Sequence, residues 1–140
     1  MSIPSVLLPL FVQVALTFAL LSWTARVRFA AVKRGDVRAR DIALREPNWP
    51  KLETQIANAY QNQLEAPMLF YALTILAIVT RHADLGFVIM AWLFVVSRLV
   101  HAYIHLTSNH VGNRFAAFAT GVLILLVMWV IFAVRILLGL

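Results

Sequence analysis

Three short groups of polar and ionisable residues interrupt the strongly apolar segments of this chain. The groups are Asn58, Gln61, Asn62 and Glu65; then Arg98, His101 and His105; and finally Arg114. Carboxylates, guanidinium groups and imidazoles can bind charged ligands and transfer protons, and amides can orient a ligand by hydrogen bonding. Ionisable residues within apolar spans are costly in a bilayer and mark functional positions. We therefore expect these residues to form a binding site.

The spacing of the polar residues predicts that they lie on two helix faces. Glu65 follows Asn58 by seven residues, and the amides between them fall at helical offsets, so the group shares one face. His101 and His105 likewise follow Arg98 by three and seven residues on another helix. One carboxylate among cations and amides suits a small ligand that carries an amine. Glu65 would bind the ammonium group, and the arginines would bind carboxylates.

Four apolar segments are long enough to position these residues on membrane-spanning helices, which require about 20 residues each. The predicted helices cover about residues 6–25, 55–80, 85–106 and 115–138, and a basic loop covers about 26–54. Hydrophobic residues make up 62% of the chain, whereas roughly half of a soluble domain is apolar. The sequence therefore predicts one all-α integral membrane domain, residues 1–140, folded as a four-transmembrane-helix bundle. The chain has no cysteine, which excludes disulfides, thiolate metal sites and cysteine nucleophiles.

The distribution of basic residues predicts how the bundle is oriented. Eight of the twelve lysines and arginines lie between Arg26 and Lys51. The positive-inside rule therefore places the long loop in the cytoplasm and both termini outside. The net charge of +6 is then explained by topology and by contact with anionic lipid, and we expect no nucleic-acid partner. In this orientation all four helices deliver polar groups to one cytoplasmic-side cavity, with Arg26 and Arg28 at the end of helix one.

The same residues also have structural interpretations. The amides of helix two could simply join helices by hydrogen bonding, and Glu65 could neutralise Arg98 or Arg114 in an ion pair. Pro67 predicts a kink or break in helix two, because it lacks a backbone N–H. His101 and His105 could ligate a metal, but two histidines four residues apart are weak evidence for such a site, and we predict none.

The order of these motifs resembles that of the MAPEG family, membrane-associated proteins in eicosanoid and glutathione metabolism. The resemblance rests on Asn62, Glu65 and Pro67 opening helix two, on RLVHAYIH at residues 98–105 ending helix three, and on Arg114 opening helix four. It covers essentially the whole chain, which looks like a divergent bacterial-type member. It implies a homotrimer in the bacterial inner membrane, with three sites at the subunit interfaces.

The resemblance also implies a role for each candidate residue. The sites of enzymatic members hold glutathione, and Asn62 and Glu65 resemble the amide and the carboxylate that bind it. Arg98 and His101 match positions that line the same pocket. Arg114 resembles the catalytic arginine that stabilises the glutathione thiolate. A positive charge beside the sulfur favours the thiolate over the thiol and makes it a nucleophile at neutral pH.

Other positions are ambiguous or depart from the family pattern. Arg26 or Arg28 would correspond to the basic residue that ends helix one. By this resemblance, arginines are expected at positions 58 and 61 in glutathione-using members, but this chain has Asn58 and Gln61. A tyrosine is expected where this chain has His105. Each lost charged contact to a glutathione carboxylate could cost about 1–3 kcal/mol if it is buried.

Two classes of function follow from these features. As an enzyme, the protein would be a transferase or peroxidase that uses glutathione or another thiol on a lipophilic electrophile from the surrounding membrane lipid. As a non-enzymatic protein, it would be a trimeric binding or interaction protein whose polar cluster serves assembly. The sequence alone leaves both open.

Overall fold

The computed structural model describes residues 1–44 and 47–140, and within these ranges it contains helices and no β-strand. The α-helices are α1 (Ile3–Arg34), α2 (Lys51–Gln61), α3 (Ala66–Val79), α4 (Leu85–Leu106) and α5 (Val111–Leu138), and short 3-10 segments cover Ala39–Asp41 and Asn62–Leu64. With α2 and α3 taken as one interrupted span, the described part of the chain has four helices long and apolar enough to cross a membrane. The predicted four-helix architecture is confirmed.

The helix boundaries differ from the predicted ones mainly around the basic loop. Helix α1 continues to Arg34 instead of ending near residue 25, so the predicted loop at 26–54 shrinks to residues 35–50. The segment after residue 25 contains mostly good helix formers, and Gly35 ends the helix with a left-handed backbone (φ +79°), a common helix C-cap. Helix α5 begins at Val111, ahead of residue 115, because His110 Nδ1 accepts the backbone N–H of Asn113 at 3.1 Å. Arg45, one of the basic loop residues, lies outside the described residues.

The second span is interrupted at Glu65, next to Pro67, where the sequence predicts a kink or break. Glu65 has a non-helical backbone (φ −96°, ψ −103°), and Pro67 stands in the first turn of α3, where its missing N–H costs nothing. A break at membrane depth frees backbone carbonyls that must find other donors. Arg98 of α4 supplies one, because its Nη2 donates to the Asn62 carbonyl at 2.9 Å. The arginine of α4 thus stabilises the interruption in the second span.

Helix α4 lies at the centre of the bundle and packs against α1, α2 and α5. The apolar core is centred on Phe70 and Phe94, whose ring centroids are 4.8 Å apart. Helix α1 contributes a buried polar contact, in which Gln13 Nε2 donates to Gln63 Oε1 at 2.7 Å. This amide pair fixes α1 against the broken segment, a use of amides common in membrane bundles.

Helices α4 and α5 approach each other closely at Gly121. A Cβ atom at Gly121 would lie 2.8 Å from Ser97 Oγ but 3.8 Å from Ser97 Cβ. We expect Gly121→Ala to lower the free energy of unfolding by about 1–3 kcal/mol, because the added methyl group overlaps the serine hydroxyl. Ser97→Ala removes the overlapping oxygen, so the double variant should recover most of that loss. Unfolding of the four proteins in mixed detergent micelles measures the effect, and additive losses in the double variant would contradict this packing.

The end of the bundle opposite the broken segment is held by a charged pair. Asp84 caps α4 by accepting the backbone N–H of Phe87 at 3.0 Å, and it also accepts a hydrogen bond from Arg135 Nη1 at 2.7 Å. The Phe87 N–H, with a further contribution from Arg135, holds the pKa of the Asp84 carboxyl below its ordinary value. Because the folded protein stabilises the ionised carboxylate, Asp84 contributes to the free energy of unfolding at pH values above the ordinary carboxyl pKa. This contribution is lost as the pH falls through the lowered pKa of the folded protein.

Candidate functional site

A cavity of about 410 Å³ lies between the end of the α2 segment, the end of α4 and the start of α5. Its polar lining comprises Asn58, Gln61, Asn62, Glu65, His101, His105 and Arg114. Val111, Phe115 and Phe118 supply its apolar wall. The structure therefore brings together most of the residues singled out by type and spacing. The face predicted for residues 58–65 persists through the 3-10 segment, since all four of its polar members line the cavity.

Asn62 and His105 form a hydrogen-bonded pair within this wall. Asn62 Nδ2 lies 3.3 Å from His105 Nδ1, and Gln55 Nε2 donates to the His105 carbonyl at 2.7 Å. An amide nitrogen only donates, so Nδ1 is the acceptor, and the neutral imidazole carries its proton on Nε2. The His105 side chain is buried, yet Nε2 is neither enclosed nor hydrogen-bonded among the described residues. His105 therefore presents an N–H donor to the cavity.

Arg114 is oriented by a residue that the sequence did not single out. Its Nη1 donates to Asn109 Oδ1 at 2.7 Å, and Asn109 occupies the left-handed region (φ 49°) in the turn before α5. Asparagine tolerates that conformation better than most residues. The Ser-Asn-His sequence before α5 could therefore have indicated a turn with Asn109 at this position. One nitrogen of the guanidinium is thereby fixed, and its other N–H groups remain to meet a ligand in the cavity.

Glu65 is exposed at the break and forms no ion pair with any described residue. The salt bridges within residues 1–44 and 47–140 join Arg34 to Asp36 and Glu53, and Arg135 to Asp84. The pairing of Glu65 with Arg98 or Arg114 considered above is thus absent from this part of the chain. Arg98 still acts on Glu65 electrostatically. The carboxylate faces the cavity with a buried positive charge behind it.

Three predicted site residues lie outside the cavity. Arg98 is only 1% exposed and forms the layer beneath the lining, where it bonds to the broken segment. Arg26 is exposed on α1, and the Arg28 guanidinium lies 4.8 Å from the Trp49 ring centroid, a cation–π distance. The expectation that all four helices contribute to one cavity is therefore wrong within a single chain, because α1 contributes no lining residue.

The two histidines of α4 are neighbours that face the same space. Their ring centroids are 5.7 Å apart in an edge-to-face arrangement, and His101 also contacts Phe118 at 5.9 Å. In the described residues no group of three or more histidine, aspartate or glutamate side chains could hold a metal ion. The arrangement offers hydrogen-bond donors, one carboxylate and one guanidinium, which can bind and orient a small polar ligand.

Comparison with protein families gives a match over most of the chain. A model of the MAPEG family matches residues 6–134, a range that contains every residue of the cavity. No curated protein and no solved structure matches the chain.

Proposed function

Because this chain belongs to the MAPEG family, we propose that its cavity binds glutathione or a related thiol and activates the sulfur toward a lipophilic electrophile. Members of the family include glutathione transferases and peroxidases. The protein is an integral membrane protein with several spans. In the proposed orientation the cavity opens on the cytoplasmic side, where a water-soluble thiol can enter. The electrophile would arrive from the bilayer.

The observation that carries this proposal is that Glu65 and Arg114 line one cavity without pairing to each other. Glutathione has one ammonium group, two carboxylates and one thiol. Glu65 can accept hydrogen bonds from the ammonium group, and the Nε2–H of His105 and the amides can donate to carboxylates. Arg114 then remains for the sulfur. The donor and acceptor set therefore fits the chemical groups of the ligand.

In this mechanism each cavity residue has a separate task. Arg114, held by Asn109, places a positive charge beside the sulfur and so lowers the free energy of the thiolate relative to the thiol. Phe115 and Phe118 keep the surroundings apolar, which strengthens that interaction. Glu65 and Asn62 fix the far end of the ligand, so that the sulfur is held in position. The bound thiol supplies the nucleophile of the reaction.

The neutral amides at two lining positions bear on which thiol is bound. Asn58 and Gln61 line the cavity where the family resemblance leads one to expect arginines. A neutral donor makes a weaker bond to a carboxylate than a guanidinium does. The proposal therefore includes thiols with fewer carboxylates than glutathione, and the binding experiment compares several thiols.

Homotrimer formation is part of the same proposal. The basic residues of α1 lie outside the cavity of their own chain, and Arg26 is exposed. In a trimer with sites between subunits, Arg26 or Arg28 of a neighbouring α1 would approach the cavity and supply a second cation. A trimer would also cover part of the exposed apolar helix surface.

A second candidate function is a non-enzymatic trimeric membrane protein whose polar cluster serves assembly. It is favoured by the bonds that several of these side chains already make within the chain. Arg98 donates to the Asn62 carbonyl, and Asn62 donates to His105 Nδ1. Arg114 donates to Asn109 Oδ1. Such contacts stabilise the fold without a ligand.

Thermal unfolding in detergent across glutathione and related thiols separates the two functions. A ligand at one hundred times its Kd stabilises the folded protein by about 2.7 kcal/mol, and we expect such a saturable rise in Tm. Glu65→Gln should weaken binding by about tenfold or more, because it removes a charge-assisted partner of the ligand ammonium.

Asp41→Asn is the matched control, since it removes one negative charge from an exposed loop residue away from the cavity and should leave the titration unchanged. A flat Tm response to every thiol would overturn the enzymatic proposal. Dissociation of the oligomer by Glu65→Gln, together with that flat response, would establish the assembly function.

A further inference from the structure

A second groove of about 340 Å³ lies at the other end of the bundle, between the start of α4 and the end of α5. Phe87, Met90, Met128 and Phe132 give it an apolar floor. Ile89 and Ile131 also line it and are 52% and 45% exposed, so the groove reaches the outer surface of the helices. In a membrane protein such a surface faces lipid chains. The groove is therefore accessible from the bilayer.

This groove cannot serve the reaction proposed for the cavity. The nearest lining residues on α4 are Met90 in the groove and His101 in the cavity, eleven residues apart, and on α5 Phe118 and Met128 are ten residues apart. At 1.5 Å per residue these separations along the helices are about 15–17 Å. A molecule held in the groove is thus too far from a sulfur bound beside Arg114 to react with it. The groove is a separate site.

The lining residues at its rim include one charge of each sign, Arg135 and Asp84. Arg135 uses Nη1 for Asp84, which leaves its other N–H donors available, and Asp84 remains 51% exposed. His82 Nε2 lies 3.0 Å from the main-chain oxygen of Leu140 and can donate to it, while its Nδ1 is enclosed and out of reach of a molecule in the groove. The exposed Asp84 carboxylate can accept further hydrogen bonds, so the rim favours a ligand that brings N–H groups.

We propose that this groove binds one phospholipid with a primary ammonium headgroup, that is, a phosphatidylethanolamine. One acyl chain lies against the two phenylalanines and two methionines of the floor. The phosphate accepts hydrogen bonds from Arg135, and the ammonium group donates to Asp84. Asp84 caps α4, and Arg135 is in the last turn of α5, so the rim lies at the level of lipid headgroups.

The charges of the rim distinguish this lipid from the other common headgroups. A quaternary choline headgroup has no N–H and cannot donate to Asp84. A glycerol headgroup can place its phosphate on Arg135, but its hydroxyl groups are neutral and do not neutralise the exposed Asp84 carboxylate. The ethanolamine headgroup matches both signs and supplies N–H donors.

The test is native mass spectrometry of the full chain in detergent micelles that contain phosphatidylethanolamine, phosphatidylcholine or phosphatidylglycerol with identical acyl chains. We expect retention of phosphatidylethanolamine about tenfold above the other two, equivalent to one charge-assisted contact. Ile131→Trp fills the groove and should abolish retention. Val130→Trp adds the same side chain at an exposed neighbour that does not line the groove and should leave retention unchanged.

The headgroup contacts are tested in the same way. Arg135→Gln should reduce retention by about tenfold, whereas Arg81→Gln, which removes an exposed cation at the same end of the bundle, should not. Equal retention of the three lipids, or retention that survives Ile131→Trp, overturns the proposal. A change of oligomeric state in Ile131→Trp, with no lipid bound to the parent protein, would show that a second copy of the chain covers the groove and would also overturn it.

Discussion

Arg114→Ala is expected to lower kcat/KM for conjugation of a thiol to a lipophilic electrophile by about 100- to 1,000-fold, the range found when one preorganised donor to a developing anion is removed. The guanidinium lines the cavity and is fixed through Asn109 at 2.7 Å, so its charge is in place before the ligand binds. Removing it leaves the sulfur as a neutral thiol at physiological pH. The bonds that stabilise the break in the second span do not involve Arg114, so the folded protein should persist.

The pH dependence of the rate identifies the cause of this loss. A cation beside the sulfur keeps the thiolate populated at lower pH, so in Arg114→Ala the rise of rate with pH should move to higher pH. Arg114→Lys retains the charge and should recover part of the rate. Arg81→Ala, at the opposite end of the bundle, is the matched control for net charge. An unchanged rate and pH profile in Arg114→Ala would exclude Arg114 as the catalytic residue.

Arg98→Ala is expected to lower the free energy of unfolding by about 3–5 kcal/mol. The side chain is 1% exposed, and its Nη2 donates to the Asn62 carbonyl at 2.9 Å. The variant leaves that carbonyl without a donor at membrane depth, which costs about 1–3 kcal/mol. It also creates a cavity in place of a large buried side chain, which adds a packing loss. The effect should be larger than that of any substitution confined to the cavity lining.

Two further substitutions separate these causes. Arg98→Met retains most of the side-chain volume but removes the donor. Its loss in the free energy of unfolding should therefore be smaller than that of Arg98→Ala and should come from the missing hydrogen bond. Arg98→Lys retains a charged donor and should be the mildest change. Chemical unfolding followed by circular dichroism in detergent gives the three free energies. Equal losses for methionine and lysine would show that the bond to Asn62 contributes little.

The residues of the second span show how far the sequence predicts this structure. Helical offsets placed Asn58 and Glu65 on one face, and the missing N–H of Pro67 predicted the break, and both predictions are confirmed. These are local properties, because periodicity and backbone chemistry act over one or two turns. The four spans were predictable for the same reason, since their apolar length alone requires a membrane.

Contacts between distant segments were not predictable in this way. The sequence grouped Arg98 with the histidines on its own face, but the structure places Arg98 beneath the lining, bonded to a backbone carbonyl. Every residue has a backbone carbonyl, so the sequence does not indicate which carbonyl accepts the bond from Arg98. Asn109 was missed because its role depends on a left-handed turn conformation. The end of α1 was misplaced because hydropathy marks the membrane boundary, whereas helix α1 continues beyond it to Gly35.

The bond from Arg98 to the Asn62 carbonyl also bears on how such a site can diverge. Because the arginine contacts main chain, the side chain at position 62 can change while the bond from Arg98 to the interrupted span is kept. This part of the scaffold thus does not depend on which side chain faces the ligand there. Over generations, substitutions at Asn58, Gln61 and Asn62 can exchange one bound molecule for another while the architecture is inherited unchanged.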